Sequence, residues 1–160
     1  MTIQIGEKIP QATLNMLKDG VQAVDTAELF GGKKVLLFAV PGAFTPTCSA
    51  KHLPGYVGHL EEFRKRDIEV ACLAVNDAFV MDAWAKSQDV PAGVHMLADG
   101  NGAFTQAMGL QLDATAFGMG LRAKRFALYA EDGIVRQLHV EAPGEFKVSS
   151  AEYVLEHLPA

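Results

Sequence analysis

In the stretch PGAFTPTCSAKHLPG, residues 41–55, Cys48 stands three positions after Thr45 and seven after Pro41. The run before it, KKVLLFAV, is apolar without alternation and reads as a buried strand. The run after it, YVGHLEEFRKR, has helical spacing. Cys48 therefore falls where a strand hands over to a helix. The unpaired N–H groups and positive dipole end of a helix start favour thiolate over thiol, and the thiolate is the nucleophile. Residues three apart in a first helical turn share one side, which predicts the Thr45 hydroxyl beside the Cys48 sulfur. Pro41 can end the strand and shield that sulfur from water and from larger oxidants. Taken singly, each residue has a plain alternative. A buried cysteine packs as a small hydrophobe, and threonine and proline are ordinary cap and turn residues.

Four other groups bear on the chemistry. Arg122, Lys124 and Arg125 form a local basic cluster, better matched to a small anion or a transition state than to a polymer. Cys72 lies inside IEVACLAVND, where an apolar strand predicts burial and an inert thiol. His52 comes one helical turn after Cys48 and can be read as a base for the thiol. An edge or pocket role fits it better, because a helix start already favours thiolate. His59, His95, His139 and His157 lack metal-ligand spacing, which argues against zinc.

Several chemistries are excluded. Gly32-Lys33 lacks the earlier glycine and the following Ser or Thr of a phosphate loop, and it precedes the strand instead of following it. A cysteine phosphatase would place arginine where Pro54 stands. No Gly-x-Ser-x-Gly elbow and no CxxC pair occur.

The elements that must hold these residues can be read in outline. QATLNML and VDTAELFG lead in through the turn Asp19-Gly20, and KVLLFAV begins the core. LPGYVGHLEEFRKRD, with Tyr56, Leu60 and Phe63 on one side, is expected as a single helix, and IEVACLAVND follows as a strand. Strand, helix, strand in that order is a βαβ unit with parallel strands and a right-handed crossover. AFVMDAWAKSQ is expected as a helix, VHMLAD as a strand and GAFTQAMGL as a short helix, followed by a glycine-rich loop at FGMG. RFALYA and IVRQLHV read as a β-hairpin, and SAEYVLEHL as a final helix capped by Ser149 or Ser150. The order implies an α/β fold, a mixed central sheet with helices on both faces.

At 160 residues, 49% hydrophobic and 21% charged, the chain has the composition of one globular domain, taken as 1–160. Its net charge of −5 argues against nucleic acid as a partner. VLLFAV is far too short for a membrane span, and MTIQIGEKIP lacks the pattern of a secretory signal, so a cytoplasmic location is expected. Two cysteines are too few for a disulfide scaffold. Phe44, Phe117 and Met119 suggest an uncovered apolar surface fit to seat a second subunit, with ordinary core packing as the alternative.

PGAFTPTCSAKHLPG, ACLAVNDAFVMDAWAK and RAKRFALYAEDGIV resemble the peroxiredoxins, in particular the type II or peroxiredoxin-5-like branch, over nearly the whole chain from about Gly6. The resemblance implies a thioredoxin-like fold and reduction of hydrogen peroxide and alkyl hydroperoxides with no cofactor or metal. It implies Cys48 as the peroxidatic cysteine, passing through a sulfenic acid, and Arg125 as the arginine aimed at sulfur and substrate, with Arg122 as its rival. Thr45 would hold the peroxide. Gly42, Phe44 and Phe117 would form the substrate-binding surface, with backbone N–H groups around Phe44 and Cys48 completing it. Some plant-type relatives carry a cysteine at the position of Cys72 that has been proposed to resolve the sulfenic acid, which makes Cys72 a candidate resolving residue. Others have one in the stretch matched by GEFKVSSAEY, where this chain has Ser149 and Ser150. A disulfide between a mid-strand and a helix-start residue is difficult to form, which favours regeneration by an external thiol, glutathione or glutaredoxin, with thioredoxin as the alternative. A homodimer is also implied. The competing reading is a thioredoxin-fold sensor or binding protein in which oxidation of Cys48 is a signal.

Overall fold

The computed structural model describes residues 2–17 and 19–158. Its frame is a seven-stranded mixed sheet in which the strands Val21–Asp25, Thr13–Leu17, Val94–Ala98, Ile68–Ala74, Lys34–Ala39, Phe126–Glu131 and Ile134–Val140 lie side by side in that order. The centre is parallel: β3 (Lys34–Ala39), β4 (Ile68–Ala74) and β5 (Val94–Ala98). Helical segments α2 (Leu53–Gly58) and α3 (Leu60–Arg64) join β3 to β4, and α4 (Ala78–Ser87) joins β4 to β5, giving the two expected βαβ crossovers. On the far side of β3 lies the expected hairpin of β8 (Phe126–Glu131) and β9 (Ile134–Val140), antiparallel to β3 through β8.

The apolar runs are continuous because both faces of the sheet are covered. In β3 the side chains alternate: Leu36 and Phe38 enter one core, Val35, Leu37 and Ala39 the other. The first core takes α2, α3, α4 and α6 (Ala151–His157), and the second takes α1 (Thr26–Phe30) and α5 (Ala103–Ala107). Cys72 alternates onto the first side, the side on which Cys48 is buried. That core is anchored by stacked rings, with Phe38 and Tyr56 centroids 4.1 Å apart and nearly parallel.

Three features depart from the sequence reading. The lead-in folds as strands β1 (Thr13–Leu17) and β2 (Val21–Asp25), which extend the sheet beyond β5. The glycine-rich region is not wholly loop, since β6 (Gln111–Asp113) pairs with β7 (Leu121–Ala123) around a short 3-10 turn at Thr115–Phe117. The helix after Cys48 is not one regular helix. It opens with a π-helical turn at Cys48–His52, in which the Leu53 N–H reaches back to the Cys48 carbonyl, and it breaks again at His59. Ser150, not Ser149, caps α6 by accepting from the Tyr153 N–H. Among the described residues no helix is long and apolar enough to cross a membrane.

Candidate active site

The π-helical turn carries Cys48 and His52 together, and such turns recur at functional sites because the wider turn re-aims side chains. Cys48 is fully buried and its thiol is free. The group that meets it arrives from the sheet. Arg125 immediately precedes β8, and its odd position puts it on the same side as Ala127 and Tyr129, which pack into the first core. From there Arg125 Nη2 donates to Cys48 Sγ at 3.1 Å, and Nη1 donates to His52 Nδ1 at 2.8 Å. Of the two rival arginines, Arg125 is thus the one on the sulfur. Arg122 donates through Nε to the Met119 carbonyl and sends Nη1 toward Gly42.

His52 is corrected from an edge or pocket residue to a fully buried one. Its ring sits among Phe38, Tyr56 and Phe146, with centroids 5.0, 5.7 and 5.0 Å away. Burial, reinforced by the adjacent Arg125 guanidinium, lowers its pKa to about 3. Because a guanidinium cannot accept, Nδ1 bears the lone pair and Nε2–H donates to the Ser149 carbonyl at 3.0 Å. A neutral ring whose lone pair is bonded to Arg125 is no base for the thiol. It is a support for the arginine.

Thr45 lies in the turn before Cys48, yet the hydrogen bond its hydroxyl makes runs to the Gly42 carbonyl at 2.7 Å and not to the sulfur. That fixes the hydroxyl proton and leaves the oxygen lone pairs as acceptors. Gly42 permits this crowding: a Cβ there would lie 3.1 Å from Arg122 Nη1 and 3.2 Å from Thr45 Cγ2. Phe44 holds φ at +66°, a conformation costly for an aromatic residue, and the neighbouring Ala43 N–H is held by Asn76 Oδ1 at 3.0 Å. Pro41 and Thr47 line a cavity of about 200 Å³ together with Leu112, Lys124, Arg125 and the 141–145 loop. Phe117 is 82% exposed and Phe44 55%, so neither serves core packing.

Cys72 is buried in mid-strand between Phe38 and Met96 of the flanking strands. Burial and, secondarily, the nearby Cys48 push its thiol well above the usual range, with Arg125 only partly opposing. Among the described residues no cluster of three or more His, Cys, Asp or Glu is placed to hold a metal ion. The sequence reading missed the aromatic cage of His52, the Ser149 carbonyl and the Asn76 anchor. The one available hint was Phe146 and Ser149 following a Pro-Gly turn, too generic to be read as part of a site.

Comparison with known proteins agrees with this geometry. The Redoxin family model matches residues 4–155. Peroxiredoxin-2E, chloroplastic, of Arabidopsis thaliana is 47% identical over 98% of this chain and 70% of its own length. Peroxiredoxin-2C of the same plant is 45% identical over 98% of both chains. Among solved structures, reduced Prx3 of Vibrio vulnificus in complex with hydrogen peroxide superposes with a TM-score of 0.93 at 48% identity, covering 97% of this chain and 98% of that one. A thiol beside a guanidinium on a thioredoxin-like frame, matched over the full chain by such relatives, makes this chain a member of the peroxiredoxin family, the thiol-dependent peroxidases.

Proposed function

We propose that Cys48 is the peroxidatic residue and that Arg125 and Thr45 activate its substrate. The observation that carries this reading is the 3.1 Å contact from Arg125 Nη2 to the Cys48 sulfur. The thiolate attacks one oxygen of the hydroperoxide, the O–O bond breaks, and Cys48 becomes a sulfenic acid. The other oxygen departs with the electron pair, takes a proton and leaves as water or alcohol. Negative charge grows on that leaving oxygen, and Arg125, already beside the sulfur, stabilises it. Thr45 Oγ, its own proton committed to Gly42, accepts from the peroxide O–H and orients it. Pro41, on the wall of the adjoining cavity, limits access, and Gly42, packed beside Thr45 and Arg122, forms the substrate-binding surface with the exposed Phe44 and Phe117.

Regeneration falls to an external thiol. Glutathione attacks the sulfenic sulfur and releases water, and a second thiol, supplied by glutathione or glutaredoxin, reduces the mixed disulfide. Support comes from Cys72, a buried mid-strand thiol held in its neutral form, and from serine at positions 149 and 150. Two free cysteines suit a reducing compartment such as the cytoplasm. The exposed rings of Phe44 and Phe117 support a homodimer through that surface, testable by sedimentation of Phe117→Asp, which is expected to be monomeric. Peroxide turnover with glutathione and glutaredoxin tests the cycle: Cys72→Ser is expected to keep it, and its loss would refute a one-cysteine cycle. Turnover supported by thioredoxin but not by glutathione would overturn the choice of reductant.

A further inference from the structure

Glu141 stands one residue beyond β9, and its N–H donates to the Arg125 carbonyl at 2.9 Å, continuing the β8–β9 ladder. Its side chain turns inward, leaving the residue 8% exposed. A buried carboxylate is costly unless donors surround it. Here the Lys147, Val148 and Ser149 N–H groups all converge on it at 2.8–2.9 Å, and the Ser149 hydroxyl donates at 2.6 Å. Successive N–H groups gathered on one anion form a nest, which draws the 141–149 segment into a strap.

The strap ends on the catalytic side. The Ser149 carbonyl accepts from His52 Nε2 at 3.0 Å and from the Tyr56 hydroxyl at 2.7 Å. Phe146, within the strap, packs against the His52 ring and lies 5.9 Å from the Arg125 guanidinium carbon. The His52 ring thus has one nitrogen on the strap and the other on Arg125. We propose that Glu141 is a positioning residue for the peroxide reaction: by gathering residues 147–149 it fixes the Ser149 carbonyl, which orients His52, which holds Arg125 against the Cys48 sulfur. The inference rests on the roles given above to Cys48 and Arg125. It requires a carboxylate, because Oε2 takes all four donors and Oε1 also takes the Lys147 N–H, so the NH2 of a Gln placed at either position meets at least one donor with almost no change in volume.

Asp99 supplies a matched control. It is also a buried carboxylate, 3% exposed, and it accepts from the Phe104 N–H, the Thr105 N–H and the Thr105 hydroxyl. It serves α5, on the other side of the sheet. The experiment compares Glu141→Gln, Asp99→Asn and the milder Ser149→Ala in the full chain. Three quantities are read: thermal unfolding, the rate of Cys48 oxidation by hydrogen peroxide, and the nitrogen NMR signals that report the His52 tautomer. Glu141→Gln is expected to slow oxidation about tenfold, less than the roughly hundredfold that a misplacement of about 1 Å can cost, and to displace the His52 signals. Ser149→Ala, which removes one donor and keeps the carbonyl, is expected to shift both in the same direction by less. Asp99→Asn, destabilised to a similar degree, is expected to leave both at wild-type values. Normal oxidation and normal His52 signals in Glu141→Gln, or in Ser149→Ala should the former not fold, would overturn the proposal, as would equal slowing in Asp99→Asn. Failure of the underlying reading is distinct: the wild-type protein itself would not oxidise at Cys48.

Discussion

Cys48 and Cys72 are both free, both fully enclosed and both on the same side of the sheet. Their surroundings separate them. Cys72 meets strand neighbours and apolar side chains, and burial holds it as a thiol. Cys48 meets a guanidinium that is itself braced by a neutral histidine and by the face of Phe146. Enclosure by itself makes a cysteine inert. Enclosure around a correctly aimed cation makes a site, because hydrogen bonds to charge strengthen where water is excluded.

The sharpest way to break this contrast is to remove each sulfur in turn. Cys48→Ser is expected to lower the peroxide rate by at least about a thousandfold, whereas Cys72→Ala leaves it within about twofold, both read by peroxide consumption with excess thiol reductant. Next in size is the cation. Arg125→Gln is expected to cost about a hundredfold to a thousandfold in Cys48 oxidation by stopped-flow, the usual loss for one charge-stabilising donor, while Arg122→Gln costs far less.

A third prediction separates His52 from an ordinary surface histidine. With its pKa at about 3 in the fold against 6.5 when unfolded, the unfolded chain binds the extra proton between those values. The His52 contribution to stability is therefore intact above pH 6.5 and falls by about 1.4 kcal/mol per pH unit as pH drops from 6.5 toward 3. Urea unfolding across that range is expected to show the slope, and His52→Asn to flatten it. Smallest is the packing loss in Cys72→Ala, about 1 kcal/mol by urea unfolding, the cost of a small core deletion at a site with no chemical role.

What the sequence made legible follows from range. KVLLFAV and IEVACLAVND announce buried strands through local composition alone, and Cys48 with Thr45 and Pro41 lies within one short segment. The hairpin at Glu131-Asp132-Gly133 is likewise local. The β1–β2 hairpin carries only a short signal: Leu14 and Met16 alternate with Thr13 and Asn15, but Leu14 is the one fully buried residue of the pair and the rest are half-exposed or exposed. The β6–β7 pair is three residues on each side and leaves almost no pattern. His52 was misjudged because its burial depends on Arg125, 73 residues away, and on Ser149, 97 away. Nothing near SAKHLP reports those partners. Glu141 is hidden for the same reason: a glutamate before Ala-Pro-Gly reads as a solvated loop until the nest of N–H groups is seen around it.

The central claim is that two equally buried thiols differ in reactivity because only one faces Arg125. Its most direct test treats the reduced protein with substoichiometric hydrogen peroxide in the presence of dimedone and locates the adduct by peptide mass spectrometry. The account predicts adduct on Cys48 alone, in an amount limited by the peroxide added, strongly diminished in Arg125→Gln and unchanged in Cys72→Ala. An adduct on Cys72, or labelling of Cys48 that is indifferent to Arg125, would contradict it.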